Sequence, residues 1–381
     1  RRPTSFVAVV SRLSAQQDQD AVNLIRGISM DAPLVAKSGH QGTAMALAPL
    51  GHVLYSRILR HDPKKPNWQN RDRFILSNGH ASILQYALLY LNGYGLEIDD
   101  LKSFRQFGSA TPGHPEVGHT VGIEVTTGPL GQGFANAVGM AIAERNLRAR
   151  FGASACDHNT FVLVGDGCLM EGISHEAASL AGHLKLDRLV CVFDDNAITI
   201  DGSTSLSCSD DVAKRFAAYG WNIMNLGEIA DDCDALEDAL LTARANRGAP
   251  TLCILKSHIG TPSPDFTDAH EAHGNPFTTS HVSATKKVMG IPDEPFWAPK
   301  DLVNAIRSHA ATRGTSFTST YEDDLNQIDE RYLWDAAWNT PKSSSFSSLL
   351  PVFDSTTSLA TRQVIQKAFD ASLPALPGLI A

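Results

Sequence analysis

No block of lysine or arginine stands out in these 381 residues, where 32 Lys and Arg face 41 Asp and Glu for a net charge of −9. That excludes the basic stripe a nucleic-acid backbone requires, so any phosphorylated ligand has to be met by a few local groups. No apolar run approaches the ~20 residues needed to cross a bilayer, and the first residues lack the charged-then-apolar design of a signal peptide. Neither a nucleic acid nor a membrane is expected as a partner, and the expected location is cytoplasmic. The six cysteines, Cys156, Cys168, Cys191, Cys208, Cys233 and Cys253, form no Cys-x-x-Cys pair, and several sit inside apolar segments. Zinc and a disulfide framework are therefore not indicated. What is present is 43% hydrophobic residues, enough to fill one large or two ordinary domains.

The apolar residues alternate between two periods. Ser14 is placed to cap a helix through Ala21, Leu24, Ile25 and Ile28, and a second helix through His52 and Tyr55 is expected to reach about Arg60. A short strand, Arg73 to Leu76, ends in Ser77-Asn78-Gly79-His80 and is followed by an apolar helix from Ser82 to about Asn92. Strands are expected at Phe161 to Val164, Leu189 to Phe193, Trp221 to Leu226 and Thr251 to Leu255, with helices between them. Repeated strand–helix units with short turns predict an α/β fold with a doubly wound, mostly parallel sheet. Past Pro276 the pattern weakens, and Thr340 to Ser348 is rich in Ser, Thr and Pro, as a linker would be. A new helical segment begins near Thr356, and Leu376 to Ala381 reads as a strand just entering.

The strongest chemical signal is Gly165-Asp166-Gly167 at the end of an apolar strand, with 28 residues between Gly167 and Asn196, which itself ends the next apolar strand. In an open parallel sheet, ligands bind outside the carboxyl ends of the strands. Two such tips bring a carboxylate and a neutral amide oxygen together, as a hard divalent cation prefers. Magnesium on a diphosphate, or another divalent cation such as calcium, fits this pair. Gly-Asp-Gly alone would be a surface turn, and Asn196 alone an Asx-turn residue.

Four histidines stand beside glycine in polar loops or strand tips. They are His40 in Ser38-Gly39-His40-Gln41-Gly42, His80, His114 in Thr111-Pro112-Gly113-His114-Pro115-Glu116, and His273 in Ala272-His273-Gly274-Asn275-Pro276. Imidazoles can hold sugar hydroxyls and exchange protons near neutral pH. Gly128-Pro129-Leu130-Gly131-Gln132-Gly133 precedes a long helix, and glycines before a helix N-terminus suit a diphosphate.

With Gly165-Asp166-Gly167-Cys168-Leu169-Met170-Glu171-Gly172-Ile173-Ser174, and with Asp194-Asp195-Asn196-Ala197-Ile198-Thr199-Ile200-Asp201-Gly202, the chain resembles the thiamine diphosphate enzymes, and transketolases in particular. The resemblance runs from about Ser14 to Pro276 and resumes near Arg362 in Ala360-Thr361-Arg362. It implies thiamine diphosphate with Asp166, Asn196 and the main-chain carbonyl of Ile198 as metal ligands. His80, Gly128, Leu130, Gly167, Glu171, Asn196 and His273 are implied around the cofactor, although Glu171 reads equally well as a first-turn acidic residue. His40, His114 and His273 are implied in catalysis and sugar binding, and Arg362 on the sugar phosphate.

By the same resemblance, residues 1–320 form the diphosphate-binding domain with a C-terminal extension, 321–354 a linker, and 355–381 the beginning of a pyrimidine-binding domain. The expected activity moves a two-carbon ketol unit from a ketose phosphate such as xylulose 5-phosphate to an aldose phosphate such as ribose 5-phosphate, in the non-oxidative pentose phosphate pathway. An activating glutamate, contributed by the pyrimidine domain of a partner subunit, would lie beyond Ala381. The chain is thus expected to be either a fragment or one part of a two-chain enzyme, completed as a homodimer or by a second chain. Three positions depart from the pattern: Gln41, Thr261-Pro262 and Ala197. Dihydroxyacetone synthase, 1-deoxyxylulose-5-phosphate synthase, a 2-oxoacid dehydrogenase and a non-catalytic cofactor-binding subunit remain alternatives at this point.

Overall fold

The central sheet follows from five short segments, four of them buried over nearly their whole length and the fifth, the edge strand Asn222–Gly227, only half-buried. They are β1 (Arg73–Leu76), β2 (Thr160–Gly165), β3 (Leu189–Asp195), β6 (Asn222–Gly227) and β7 (Thr251–Lys256), with the two-residue strands β4 (Ile198–Thr199) and β5 (Gly202–Ser203) forming a separate hairpin. The sheet order is β1-β2-β3-β7-β6 and every pairing in it is parallel. Strands buried on both faces read as continuous apolar runs, which is why the segments were recognisable. The computed structural model describes residues 12–338 and 346–380; the middle of the expected linker, residues 339–345, and Ala381 lie outside the described residues.

Alternation along the strands sends side chains to two separate cores. Phe74, Phe161, Leu163, Val190, Val192, Cys253 and Leu255 pack with the helices Ala15–Ala36, Ala48–Val53, Ser82–Leu91 and Cys233–Ala245. Ile75, Val162, Val164, Cys191, Phe193, Leu252 and Ile254 face the other way, onto Phe134, Ala137, Ala178, Ala181 and Phe216 from three further helices. The sheet is therefore doubly wound, as the sequence predicts. Ser14 caps the first helix in a reciprocal capping box with Gln17, which satisfies two otherwise orphaned N–H groups. The helix expected to run through His52 to about Arg60 is instead Gln41–Ala46, then Ala48–Val53, then a π-helical turn at Leu54–Ile58. Pro49, which has no N–H to give a continuing helix, stands in the first turn of the second piece.

The chain divides into two compact units. One contains the described residues up to Arg145 with His158–Ser319; the other contains Asn146–Asp157 and the described residues from Thr320 onward. The second unit is built around Trp334, fully buried and edge-on to Phe151 at 5.4 Å between ring centroids. Its helix Thr361–Ser372 forms a little later than Thr356. The strand expected from Leu376 does not form among the described residues: Leu373–Ala375 is a 3-10 turn, and Pro377 and Gly378 are both unsuited to a strand interior. Among the described residues no helix is long and apolar enough to cross a membrane.

Candidate functional site

β2 and β3 are paired with Gly165 opposite Asp194, so the residues that leave their carboxyl ends, Asp166 and Asn196, emerge side by side. Asp166 opens the short helix Asp166–Met170, while Asn196 leads into the β4–β5 hairpin. The Asn196 side chain donates to Asp194 Oδ2 at 2.8 Å and accepts from the Ile198 N–H at 3.0 Å. It is thus an Asx-turn residue, and its amide oxygen keeps a second lone pair for a ligand. Burial, reinforced by the nearby Asp194 and Asp195 charges, pushes the Asp166 carboxyl up to about 7. Asp194, buried beneath Asn196 and bonded by Ser257, rises to about 6. Two buried acids side by side disfavour each other's ionisation.

Around this point lies a cavity of about 290 Å3 lined by His40, His80, His114 and His273 together with Gly128, Leu130, Asp166, Gly167, Asn196 and Ile198. Four loops far apart in sequence meet there. The His80 and His273 rings stack at 4.9 Å between centroids, and His40 sits edge-on to both, at 5.1 Å and 5.6 Å. Burial drives the His40 imidazole down to about 4, helped by the positive charge of Arg105 and by His273 and His114. His80 lies well below the ordinary histidine range for the same reason, burial first and then the other histidines. Burial also lowers His114 and His273. The imidazoles are therefore neutral near pH 7, able both to donate and to accept. Gly128 holds φ at +149° with its missing Cβ directed 3.5 Å from the His114 ring, a conformation glycine adopts without strain.

The donor set suits a hard cation: a carboxylate, an amide oxygen and a main-chain carbonyl at Ile198. Among the described residues no group of three or more His, Cys, Asp or Glu is placed to hold a metal ion. The cavity also carries a polar group waiting for a ligand. Asn78 is 1% exposed, lines the cavity, and both its amide atoms are buried without a protein partner, an arrangement costing about 1–3 kcal/mol for each unsatisfied group.

Glu171 stands apart from this constellation. It is exposed, at the N-cap of the helix Gly172–His183, and does not line the cavity. Arg362 is the one expected site residue carried by the second unit, exposed in the first turn of Thr361–Ser372. Sequence reasoning passed over Asn78, Asp194 and Arg105. The first two lie inside motifs already quoted, Ser77-Asn78-Gly79-His80 and Asp194-Asp195-Asn196, which was their only signal. Arg105 lies nine residues before His114 in the same irregular loop and bonds to His40. A larger cleft of about 560 Å3, at Arg12, Asp18, Arg26, Arg57 and Asp231, is a weaker candidate because its charges are spent on each other, Arg57 on Asp18 and Arg26 on Asp231.

Comparison with known proteins identifies the family. Residues 17–341 match the family model described as transketolase, thiamine diphosphate binding domain. The chain is 45% identical over 374 residues to the chromosomal transketolase of Cupriavidus necator, covering 94% of this chain and 55% of that protein. A transketolase structure from Campylobacter jejuni superposes with a TM-score of 0.88 at 36% identity, over 95% of this chain and 56% of the other. Another, from Pichia stipitis in complex with sedoheptulose 7-phosphate, gives 0.87 at 37% identity over 95% and 55%. The chain spans about half the length of the relatives it matches.

Proposed function

Since this chain belongs to the transketolase family through its thiamine diphosphate-binding domain, we propose that the cavity at the strand tips holds the diphosphate and a divalent cation for ketol transfer between sugar phosphates. The observation that carries the reading is the convergence of Asp166, Asn196 and Ile198 with four lowered histidines on one cavity. Asp166 and the carbonyl of Ile198 would ligate the metal with Asn196, magnesium being favoured and calcium acceptable. Gly128, Leu130 and Gly167 would pack along the cofactor, and His80 and His273 would donate to the diphosphate. Bound there, thiamine diphosphate supplies the carbanion chemistry that breaks and remakes a carbon–carbon bond beside a carbonyl.

The chain's own groups then orient the sugar and move protons. His40 and His273, neutral and mutually in contact, can pass a proton to and from a substrate hydroxyl or carbonyl oxygen. His114 would bond the donor's hydroxyls, and Arg362 would fix the phosphate by charge-assisted bonds. Xylulose 5-phosphate and ribose 5-phosphate are the proposed donor and acceptor, in the non-oxidative pentose phosphate pathway. A homodimer, or a second chain carrying the remaining pyrimidine and C-terminal domains, is the proposed assembly. The proposed location is the cytoplasm.

The test is calorimetric titration of thiamine diphosphate with and without magnesium. Asp166→Ala and Asn196→Ala should each weaken magnesium-dependent binding by at least about tenfold, as expected for loss of an inner ligand or its support. Wild-type affinity in both variants would remove the metal assignment. In a ketol-transfer assay of the assembled enzyme, Arg362→Ala should impair phosphorylated donors more than unphosphorylated ones; equal impairment would reject its role.

A further inference from the structure

The guanidinium of Arg105 bridges the loops that carry His40 and His114. Nη1 donates to Ser38 Oγ at 2.8 Å, and Nη2 contacts His40 Nδ1 at 3.2 Å and the Gly113 carbonyl at 3.5 Å. The loop commits its backbone to this placement. Arg105 holds φ at +60° while its own N–H bonds the Thr111 carbonyl at 3.0 Å, a conformation uncommon for a residue with a Cβ. Among the described residues no carboxylate pairs with Arg105, so its contacts are spent on these two loops.

Arginine at any accessible pH offers only N–H donors and no acceptor. Its contact with His40 Nδ1 is a hydrogen bond only if that nitrogen carries the lone pair. A neutral imidazole has a single N–H, which must then be on Nε2. Protonation of His40 would set an N–H against an N–H and a cation against a cation. Nε2 lies on the far side of the ring, 3.5 Å from where a Cβ on Gly274 would stand, next to His273. We propose that Arg105 is a positioning residue that locks His40 as the neutral tautomer with its proton on Nε2, presenting an uncharged donor beside His273. The groups acting on His40 from the packed elements are Arg105, His273 and His114, with the His80 ring against it. All are cationic or neutral, and none would favour a charged His40.

The inference rests on the proposed site but is tested without turnover. Long-range 1H–15N correlation on full-length protein labelled at histidine nitrogen reads the tautomer directly, with the His40 signals identified by their loss in His40→Gln. Wild type should show a proton-bearing Nε2 and a lone-pair Nδ1 on His40, unchanged from about pH 8 to about pH 6. Arg105→Met, which keeps an apolar stem but no donor, should mix the tautomers and raise the His40 titration by about one pH unit or more. Arg105→Lys should keep the charge yet loosen the tautomer, because an ammonium cannot span Ser38 and His40 as a planar fork does. A proton on Nδ1 in wild type, or a wild-type His40 titrating near 6.5, overturns the proposal even if the variants do not fold. An Arg105→Met spectrum identical to wild type overturns it as well. Loss of thiamine diphosphate binding with the tautomer intact would instead count against the proposed function alone.

Discussion

Asp166 illustrates why some residues of the site were readable in advance and others were not. It and Asn196 each follow an uninterrupted apolar strand, and in a parallel sheet that position alone dictates the ligand-binding edge. Arg105 has no such marker, since its role exists only once two loops 65 residues apart are folded against each other. The structure also gives Asp166 a pH signature. Its folded value is about 7 against 3.8 for the ordinary carboxyl, so between those limits the native state binds more protons than the unfolded one. Stability contributed at this site is therefore present at low pH and lost as pH rises through about 7. Asp166→Asn should stabilise the metal-free protein by about 1–3 kcal/mol at about pH 8, discounted for residual solvent, and change little at about pH 5. With magnesium and thiamine diphosphate present the sign should invert, because the carboxylate then has its cation. Denaturant midpoints under the four conditions decide it; a variant destabilised at high pH without metal would disprove the placement of an unpaired carboxylate.

Among the elements, the strands were legible and the helix ends less so. Phe161 to Val164 and Leu189 to Phe193 needed no partner information, because burial on both faces leaves an unbroken apolar run. The helix between β2 and β3 that follows the Asp166 loop begins at Gly172 and runs Gly172–His183, and glycine at its first position carries no outward signal of helicity. Its last turn is fixed from outside. A Cβ on Gly182 would lie 1.8 Å from the carbonyl oxygen of Tyr219, and Trp221 Nε1 donates to Ala178 O at 2.8 Å on the same helix. Two elements separated by some forty residues thus meet backbone to backbone, packing the helix that follows the Asp166 loop. Gly182→Ala should cost about 3 kcal/mol or more, the upper part of the range for overpacking, read as a lowered denaturant midpoint. Near-wild-type stability would mean the approach is looser than described. Ala143→Gly, half-buried in the middle of Gln132–Phe151, offers a scale, since glycine inside a helix costs about 1 kcal/mol.

Across the whole molecule, buried neutral imidazole recurs well beyond the cavity. His61 lies in the opposite core, bonded at 2.8 Å to both the Tyr94 hydroxyl and the Tyr55 carbonyl, and burial brings it down to about 4. Burial among arginines holds His158 well below the usual range. With His40, His80, His114 and His273, six imidazoles have lowered values. Each binds its proton more readily in the unfolded chain, near 6.5. Stability from these groups is complete above about 6.5 and is lost as pH falls toward about 4, where the unfolded state holds protons the native state refuses. Asp166, Asp194 and Asp31, all raised first by burial, act in the opposite direction, but three carboxyls do not offset six imidazoles. The metal-free protein should therefore lose stability steeply between about pH 6.5 and pH 4.5, with an initial slope exceeding the roughly 1.4 kcal/mol per pH unit of a single linked proton. Denaturant unfolding at half-unit steps of pH measures that slope. His61→Gln should lower it without altering thiamine diphosphate affinity at about pH 7.5, because His61 belongs to the core and not to the cavity. A slope that His61→Gln leaves unchanged, together with a midpoint independent of pH over this range, would show that the buried histidines titrate in the native state as in the unfolded chain, and with that the neutral proton relay proposed for the site would fall too.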